Sequence, residues 1–202
     1  YFRNLKDNMY ELSVETYYKN LDNQVDFEDG GSAINNPAVE SDLVFGIGRT
    51  YGAEFYLKKK KGDFTGWISY TLAKSERQFE EVNRGDWFSA RQDRTHDLAI
   101  VGMYQITPKL TASASFVYYT GDAVTFPTGK YFVDGSLVNL YGDRNSERMT
   151  DYHRMDLGLT YILKDNDKFY SDLSLSIYNV YNRKNAYSIT FDVNDTGQTQ
   201  AT

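Results

Sequence analysis

The stretch Tyr10-Glu11-Leu12-Ser13-Val14-Glu15-Thr16-Tyr17-Tyr18-Lys19 changes character at almost every step. Tyr10, Leu12, Val14, Thr16 and Tyr18 share one parity, and Glu11, Ser13, Glu15 and Lys19 share the other. Successive side chains of a strand point to opposite sides, so this segment folds with one apolar face and one charged face. The pattern returns at Tyr51, Ala53, Phe55 and Leu57 against Gly52, Glu54, Tyr56 and Lys58. It returns again at Leu110, Ala112, Ala114, Phe116 and Tyr118 against Thr111, Ser113, Ser115 and Tyr119, and at Met155, Leu157, Leu159 and Tyr161 against Arg154, Asp156, Gly158 and Thr160. Repetition of this kind predicts an all-β chain built around a large antiparallel sheet.

Alternation and turn residues together place about seven strands, near 9–19, 49–58, 64–74, 96–106, 110–120, 152–163 and 172–192. The fourth is apolar on both parities, with Ala99, Val101 and Met103 beside Leu98, Ile100 and Tyr104, as in a strand buried on both faces. In the last, Leu173, Leu175 and Ile177 share parity with Tyr187, Ile189, Phe191 and Val193, but Asn179, Tyr181, Arg183 and Asn185 intervene on that face. Either one long strand bulges in its middle or two strands meet at a loop over 179–185; the expectation is one strand.

The connectors sort by length. Residues 59–63, 107–109 and 164–171 are short and turn-like, whereas 20–48, 75–95 and 121–151 are long. Short turns on one side and long loops on the other are what outer-membrane barrels show, with the long loops extracellular. Asp29-Gly30-Gly31-Ser32 and Asn35-Asn36-Pro37 are turn chemistry within the first long loop. Loops of this length inside a compact domain are usually functional or disordered.

Composition agrees and excludes alternatives. Eighteen Tyr, twelve Phe and two Trp sit in a chain of mean hydropathy −0.60, a wealth of aromatics without long apolar runs that favours strands. No segment supplies the roughly eighteen consecutive apolar residues of a spanning helix, so a membrane crossing would be made by strands. With 22 Lys+Arg against 28 Asp+Glu, the net charge of −6 argues against a nucleic-acid partner. The basic run Lys58 to Lys61 precedes Gly62-Asp63 and reads as a solvated turn. With no cysteine, disulfides and thiolate metal sites are unavailable. Tyr1-Phe2-Arg3-Asn4 has no initiator Met, basic n-region or apolar h-region, which reads as a processed chain or a piece of a longer one.

Catalytic and metal chemistry find no constellation. His96 and His153 stand far apart in sequence, each beside Arg, Asp or Tyr, and read as hydrogen-bonded residues at a rim. Glu80-Glu81 and Asp156 read as solvated carboxylates, Arg84-Gly85-Asp86 as a chance tripeptide, and Gly46-Ile47-Gly48 as a relieved strand entrance without a following helix. Tyr17, Tyr18, Tyr70, Tyr118, Tyr119, Tyr161 and Tyr187 fall near strand ends or on the apolar parity, as interfacial girdles do, and Glu11, Glu15, Glu54, Arg154 and Asp156 fall on the lumen parity. No catalytic residue, metal ligand or cofactor is expected. For ligand contact the polar and aromatic groups at the loop bases are the candidates: Trp87, Arg91, Arg94 and Tyr131, with Asn139 and Tyr141 behind.

Five phrases carry a resemblance: Gly48-Arg49-Thr50-Tyr51-Gly52-Ala53-Glu54, Gly66-Trp67-Ile68-Ser69-Tyr70-Thr71-Leu72, Asp93-Arg94-Thr95-His96-Asp97-Leu98, Tyr152-His153-Arg154-Met155-Asp156-Leu157 and Tyr178-Asn179-Val180-Tyr181-Asn182-Arg183-Lys184-Asn185. In this order, across residues 44–192, the chain resembles the end of the barrel of TonB-dependent outer-membrane transporters, particularly those common in Bacteroidota; residues 1–43 fit the style without a distinctive phrase. The resemblance implies an antiparallel transmembrane β-barrel segment, about seven strands of a barrel of about twenty-two, forming the C-terminal third over residues 1–202 without the final strand. It places the Tyr178–Asn185 phrase in the next-to-last strand and an extracellular loop at 192–202. The plug domain would lie outside this chain. Implied partners are the lipid bilayer and lipopolysaccharide, the remaining barrel strands and plug of the same protein, TonB through regions elsewhere, and a surface lipoprotein. The expected function is energised import of a bulky, scarce nutrient such as a metal chelate, vitamin, glycan or peptide. A soluble extracellular β-sandwich binding module and a passive porin-like barrel are the alternatives.

Overall fold

The computed structural model describes residues 1–28, 39–133, 135–194 and 198–201. The turn chemistry expected at 29–32 and 35–37 lies outside them. In chain order the strands are β1 (Phe2–Leu5), β2 (Tyr10–Phe27), β3 (Leu43–Lys59), β4 (Phe64–Gln78), β5 (Phe88–Ser89), β6 (His96–Thr107), β7 (Leu110–Tyr119), β8 (Ala123–Val124), β9 (Pro127–Val133), β10 (Ser136–Tyr141), β11 (Glu147–Arg148), β12 (Tyr152–Asn166), β13 (Phe169–Ile177), β14 (Phe191–Val193) and β15 (Thr199–Ala201). Two short 3-10 turns, Val39–Asp42 and Asn83–Gly85, are the remaining regular pieces among the described residues.

The main sheet is an antiparallel meander in the order β1-β2-β3-β4-β6-β7-β12-β13, with β5 beside the end of β4. Among the described residues it is open: β13 pairs only with β12, and β1 covers only the first residues of β2. β8 with β11, β9 with β10 and β14 with β15 form small hairpin-like sheets within the loops.

The seven strands expected from alternation are β2, β3, β4, β6, β7, β12 and β13; β1 is an addition. β2 and β3 run well past 19 and before 49, where polar Asn20, Asp22, Asn23 and Gln24 break the alternation. Pairing survives there through an irregularity between Leu21 and Gln24, with Asn23 at φ 53° in the left-handed region that Asn tolerates.

The single strand expected over 172–192 is not formed: β13 stops at Ile177. Asn179 and Asn182 take φ of 51° and 53°. The Asn179 side chain accepts from Arg183 N–H at 3.0 Å and donates to Arg183 C=O at 2.9 Å, closing a tight turn that no strand can pass through. The β12 edge left bare is covered by other means: Val180 N–H donates to Met155 C=O at 2.8 Å, and the Asn185 carboxamide pairs with both backbone groups of His153 at 3.2 and 3.0 Å. Further on, the expected loop over 192–202 carries the β14–β15 pairing.

Register sorts the side chains of the whole sheet. Directly paired residues share a face, and Leu12, Leu57, Ile68, Ile100, Phe116 and Met155 form one unbroken row across six strands. The rows next to it on that face are Val14, Phe55, Tyr70, Leu98, Tyr118, His153 on one side and Gly66, Gly102, Ala114, Leu157, Ile177 on the other. On the opposite face, Glu11 pairs with Lys58 and Ser115 with Asp156, and Glu15 stands directly opposite Glu54, a like-charge pair that only a hydrated face accommodates cheaply. Glu11, Glu15, Glu54, Arg154 and Asp156 all lie on this polar face, as their parity predicts. So do Tyr17 and Tyr119, which stand on the polar parity near the ends of the strands expected over 9–19 and 110–120, and Tyr187 belongs to no strand.

The apolar face is uncovered. Leu173 and Leu175 are 64% and 65% exposed, and Leu159 in the adjacent strand is 41% exposed. The buried apolar side chains lie elsewhere: Val44, Phe79, Val82 and Phe88 cluster where β3 and β4 run into the long loops. Gly46 makes room for this cluster, since a Cβ there would stand 2.2 Å from Gln78 O and 2.6 Å from the Phe79 ring.

The turns at 6–9, 60–63, 108–109 and 167–168 are short and lie along one edge of the sheet; the connections at 79–95 and 120–151, with the end of β2 and the start of β3, lie along the other. Lys59 Nζ donates to Lys61 O and Phe64 O at 2.9 and 2.6 Å, Lys61 Nζ to Asp7 O at 2.8 Å, and Lys60 pairs with Glu11. The basic run therefore ties down the short-turn edge.

Candidate binding site in the long-loop layer

Charged side chains stitch loops 79–95 and 120–151 into one layer and tie it to the end of β2. Asp93, 1% exposed, accepts from Ser75 N–H at 2.6 Å and pairs with Arg148, whose guanidinium also donates to the carbonyls of Asp93 and Gly121 at 2.6 and 3.1 Å. One ion pair thus joins loop 79–95 to loop 120–151, and burial of the Asp93 carboxylate is tolerated because each of its oxygens has a donor. The Asn83 carboxamide forms a two-point clasp with the Arg144 backbone at 3.0 and 2.7 Å, and the Arg144 guanidinium reaches Phe27 O at 2.7 Å and Asp26 at 3.2 Å. That reach ties loop 120–151 to the end of β2.

Asp151 holds the end of loop 120–151 onto β7. Its carboxylate accepts from Tyr118 Oη at 2.7 Å and Gly121 N–H at 3.1 Å, and Arg183 donates to its carbonyl at 2.9 Å. The Tyr118 hydroxyl first, then the Gly121 amide, hold this carboxyl below the usual range, with Arg148 and Arg183 adding to the effect against partial burial.

Three of the cavities in this layer hold an arginine side chain. One, of about 270 Å³, is lined by Arg94, Tyr119, Asp122, Tyr152 and Tyr187. The Arg94 guanidinium lies 3.7 Å from the centre of the Tyr119 ring, and Tyr119 stacks on Tyr152 at 4.5 Å with the rings parallel within 1°. Arg94 Nε faces Asp122 Oδ1 at 3.6 Å; both atoms are buried and neither has a hydrogen bond. A second, of about 420 Å³, takes Arg91, Thr125, Tyr141, Asn145, Ile189 and Phe191. The third, of about 360 Å³, holds Trp87 with Lys74, Glu76, Asp86, Asp143 and Arg144.

The six candidates from sequence therefore separate. Arg91 and Tyr141 share one cavity, Arg94 lines another, and Trp87 a third, its ring covered by the Arg49 guanidinium at 4.1 Å. Tyr131 lies half-exposed on β9 and lines none of the three. Asn139 is taken up structurally: it donates to Phe191 O at 3.2 Å and accepts from Thr199 Oγ1 at 2.9 Å, fastening β14–β15 to β10. Tyr119, Asp122 and Tyr152 were not singled out for ligand contact. The Asp93 and Tyr152 phrases lay in view, but nothing in sequence tells that Tyr119 and Tyr152 meet face to face.

Both histidines are bonded at the loop-side end of the apolar face, His96 Nδ1 to Tyr70 Oη at 2.8 Å and His153 Nδ1 to Tyr181 Oη at 2.7 Å. Glu80 and Glu81 are exposed. Among the described residues no group of three or more His, Asp or Glu side chains could hold a metal ion. No protein-family model matches the chain, and no curated protein matches it.

Proposed function

We propose that this chain is a section of the wall of a transmembrane β-barrel in a bacterial outer membrane, with its long loops extracellular. The whole protein would be an active transporter, energised through TonB, that imports a bulky, scarce nutrient such as a metal chelate, vitamin, glycan or peptide. The observation that carries the barrel reading is the row Leu12–Leu57–Ile68–Ile100–Phe116–Met155 beside a polar face, with nothing covering the apolar side. Water penalises such a face, and hydrocarbon does not.

Height agrees. His153 to Leu163 on the apolar parity of β12 is ten residue steps, about 33 Å along a strand at about 3.3 Å each and roughly 25 Å along the membrane normal at a tilt of about 40°. Tyr18, Tyr51, Tyr70 and Tyr118 gather toward the loop end of this band, and Tyr104, Tyr161 and Phe64 toward the turn end, where headgroups would meet amphipathic rings. A sandwich module would cover the apolar face with a second sheet.

The open edges favour more wall. The outer backbone groups of β13 and of most of β2 have no strand partner among the described residues, and each unpaired group in hydrocarbon costs several kcal/mol. Further strands of the same protein would supply those partners. The transporter and TonB readings rest on the five-phrase resemblance; the plug, the bilayer with its lipopolysaccharide and a surface lipoprotein complete the proposed set of partners.

The chain contains no cysteine, which makes the test direct. Single cysteines at Leu159 and Leu175, and at Thr160 and Ser174, are introduced into the parent protein, with any cysteine outside this chain replaced, and spin-labelled in native outer-membrane vesicles. The expected result is oxygen-rich, nickel-chelate-poor labels at Leu159 and Leu175 and the reverse at Thr160 and Ser174. Equal chelate access at all four positions would remove the barrel reading, and uptake that persists without TonB would reassign the protein as a passive channel.

A further inference from the structure

We infer that the 420 Å³ cavity beneath residues 189–191 is a subsite for an organic anion, with the anionic group held by Arg91 and an apolar or aromatic body lying against Ile189 and Phe191. This deepens the transporter reading and rests on it, because it names the chemical class that the loop layer would select.

Charge balance carries the argument. Each of these three cavities holds a guanidinium, and in two of them it is matched: Arg94 faces Asp122, and Arg144 pairs with Asp26 at 3.2 Å. Among the described residues the Arg91 cavity has no carboxylate in its lining, and no ion pair or hydrogen bond engages the Arg91 side chain. Arg91 is exposed at the mouth of this cavity, so its fork is open to an incoming anion. A guanidinium presents five N–H donors in a fork that fits carboxylate or phosphate oxygens. Around it, the Tyr141 hydroxyl adds a donor, and the Thr125 hydroxyl, whose oxygen already accepts from Asn145 N–H at 3.0 Å, keeps its proton to give.

The site is also built in advance. Ala90 N–H donates to Ser75 O at 2.9 Å, Ala123 N–H donates to Arg91 O at 2.9 Å, and Asp93 N–H donates to Ala90 O at 2.9 Å, so the Arg91 backbone is pinned between two buried residues. Asn145 is fixed by its own bond to Ser89 O at 2.8 Å. A pinned backbone at Arg91 and a fixed Asn145 lower the entropic cost of capture. The opposite wall, Ile189 and Phe191, is held by the edge contact of Phe191 with Phe126 at 5.1 Å and by the Asn139 bond to Phe191 O. A volume of this size lies within the range of small-molecule sites.

The test uses the full protein in lipid nanodiscs and three probes of one shape: 4-phenylbutyrate, 3-phenylpropyl phosphate and the neutral 4-phenylbutanamide, followed by saturation-transfer NMR titration. The two anions are expected to bind at least tenfold more tightly than the amide, and Arg91→Gln to abolish that preference. Arg91→Lys is expected to keep part of it, because a point charge replaces the fork. Arg84→Gln, an exposed guanidinium already paired with Asp143, is the control and should change nothing. Equal affinity for the three probes, no binding of any at millimolar concentration, or an anion preference that survives Arg91→Gln would overturn the inference. The spin-label pattern on the strands is independent of this outcome, so failure of the subsite leaves the barrel reading standing, whereas failure of the label pattern removes the barrel itself.

Discussion

Leu159 and Thr160 are neighbours in β12 that point to opposite faces, and a charge placed on each should have very different consequences. Leu159 pairs with Ala112 on one side and Leu175 on the other, close to the middle of the apolar band that runs from His153 to Leu163. Arginine near a bilayer midplane on the lipid face of a barrel costs about 2–4 kcal/mol. Leu159→Arg should therefore lower the folding equilibrium constant by roughly thirty- to a thousandfold, at about 1.4 kcal/mol per factor of ten. Thr160 loses less: its hydroxyl lies 3.0 Å from Ser174 Oγ, a partly hydrated bond worth about 1 kcal/mol, and an arginine there extends over the polar face. The measurement is reversible urea unfolding of the parent protein in phosphatidylcholine vesicles, followed by tryptophan fluorescence and gel mobility. A Thr160→Arg penalty equal to or larger than that of Leu159→Arg would refute the assignment of faces.

Three further outcomes follow from the loop layer. Arg148→Ala leaves the buried Asp93 carboxylate with only the Ser75 amide, and should cost about 3 kcal/mol, read as faster hydrogen exchange and protease nicking within 120–151; the pair Asp93→Asn with Arg148→Met should cost less than Arg148→Ala alone. Asn185→Ala strips the two bonds that finish the β12 edge and should cost about 1–3 kcal/mol locally, seen as loss of protection at the His153 amide. Asp151 has a native pKa below its unfolded value of about 3.9, so its contribution is fully present above that pH and is lost as pH falls through the native value. The loop anchor should loosen in acid below about pH 4, and Asp151→Asn should remove that part of the pH dependence of exchange at Gly121.

The strands were legible because their determinants are local. Period-two alternation is written in consecutive residues, so β2, β3, β4, β6, β7, β12 and β13 could be placed from sequence. β6 was readable as a strand but not as to its faces: Ala99, Val101 and Met103 match Leu98 and Ile100 in character, and only pairing to Ser69, Trp67 and Thr65 assigns them to the polar side. β13 was overrun because parity continues beyond Ile177 while the chain does not; the left-handed Asn179 and Asn182 end it, and Asn side chains that close turns look in sequence like any polar interruption. The loop site was legible only in its residue types. Arg91 and Tyr141 come together across fifty residues through the Ala123 amide and the β8–β11 pair, a contact no spacing announces.

The two edges of the sheet follow different physical rules, and the difference bears on how a ligand could be held. At the short-turn edge Lys59 and Lys61 bond carbonyls at the tight turns over 60–63 and 6–9. At the other edge the packing burden passes from the sheet to the loops: the cluster of Val44, Phe79, Val82 and Phe88 and the Asp93–Arg148 pair are the well-buried features, and they lie beside the cavities. On the proposed barrel reading, the sheet's apolar face would meet lipid and gain no rigidity from a protein core beneath it, so a binding layer on its rim would have to be stiffened by its own contacts. The ion pairs and carboxamide clasps do this while Arg91 alone among the cavity guanidiniums is left unmatched. An exposed ion pair would add at most about 1 kcal/mol to folding, so the open fork of Arg91 costs the layer little, and it is left free for a ligand that brings its own negative charge.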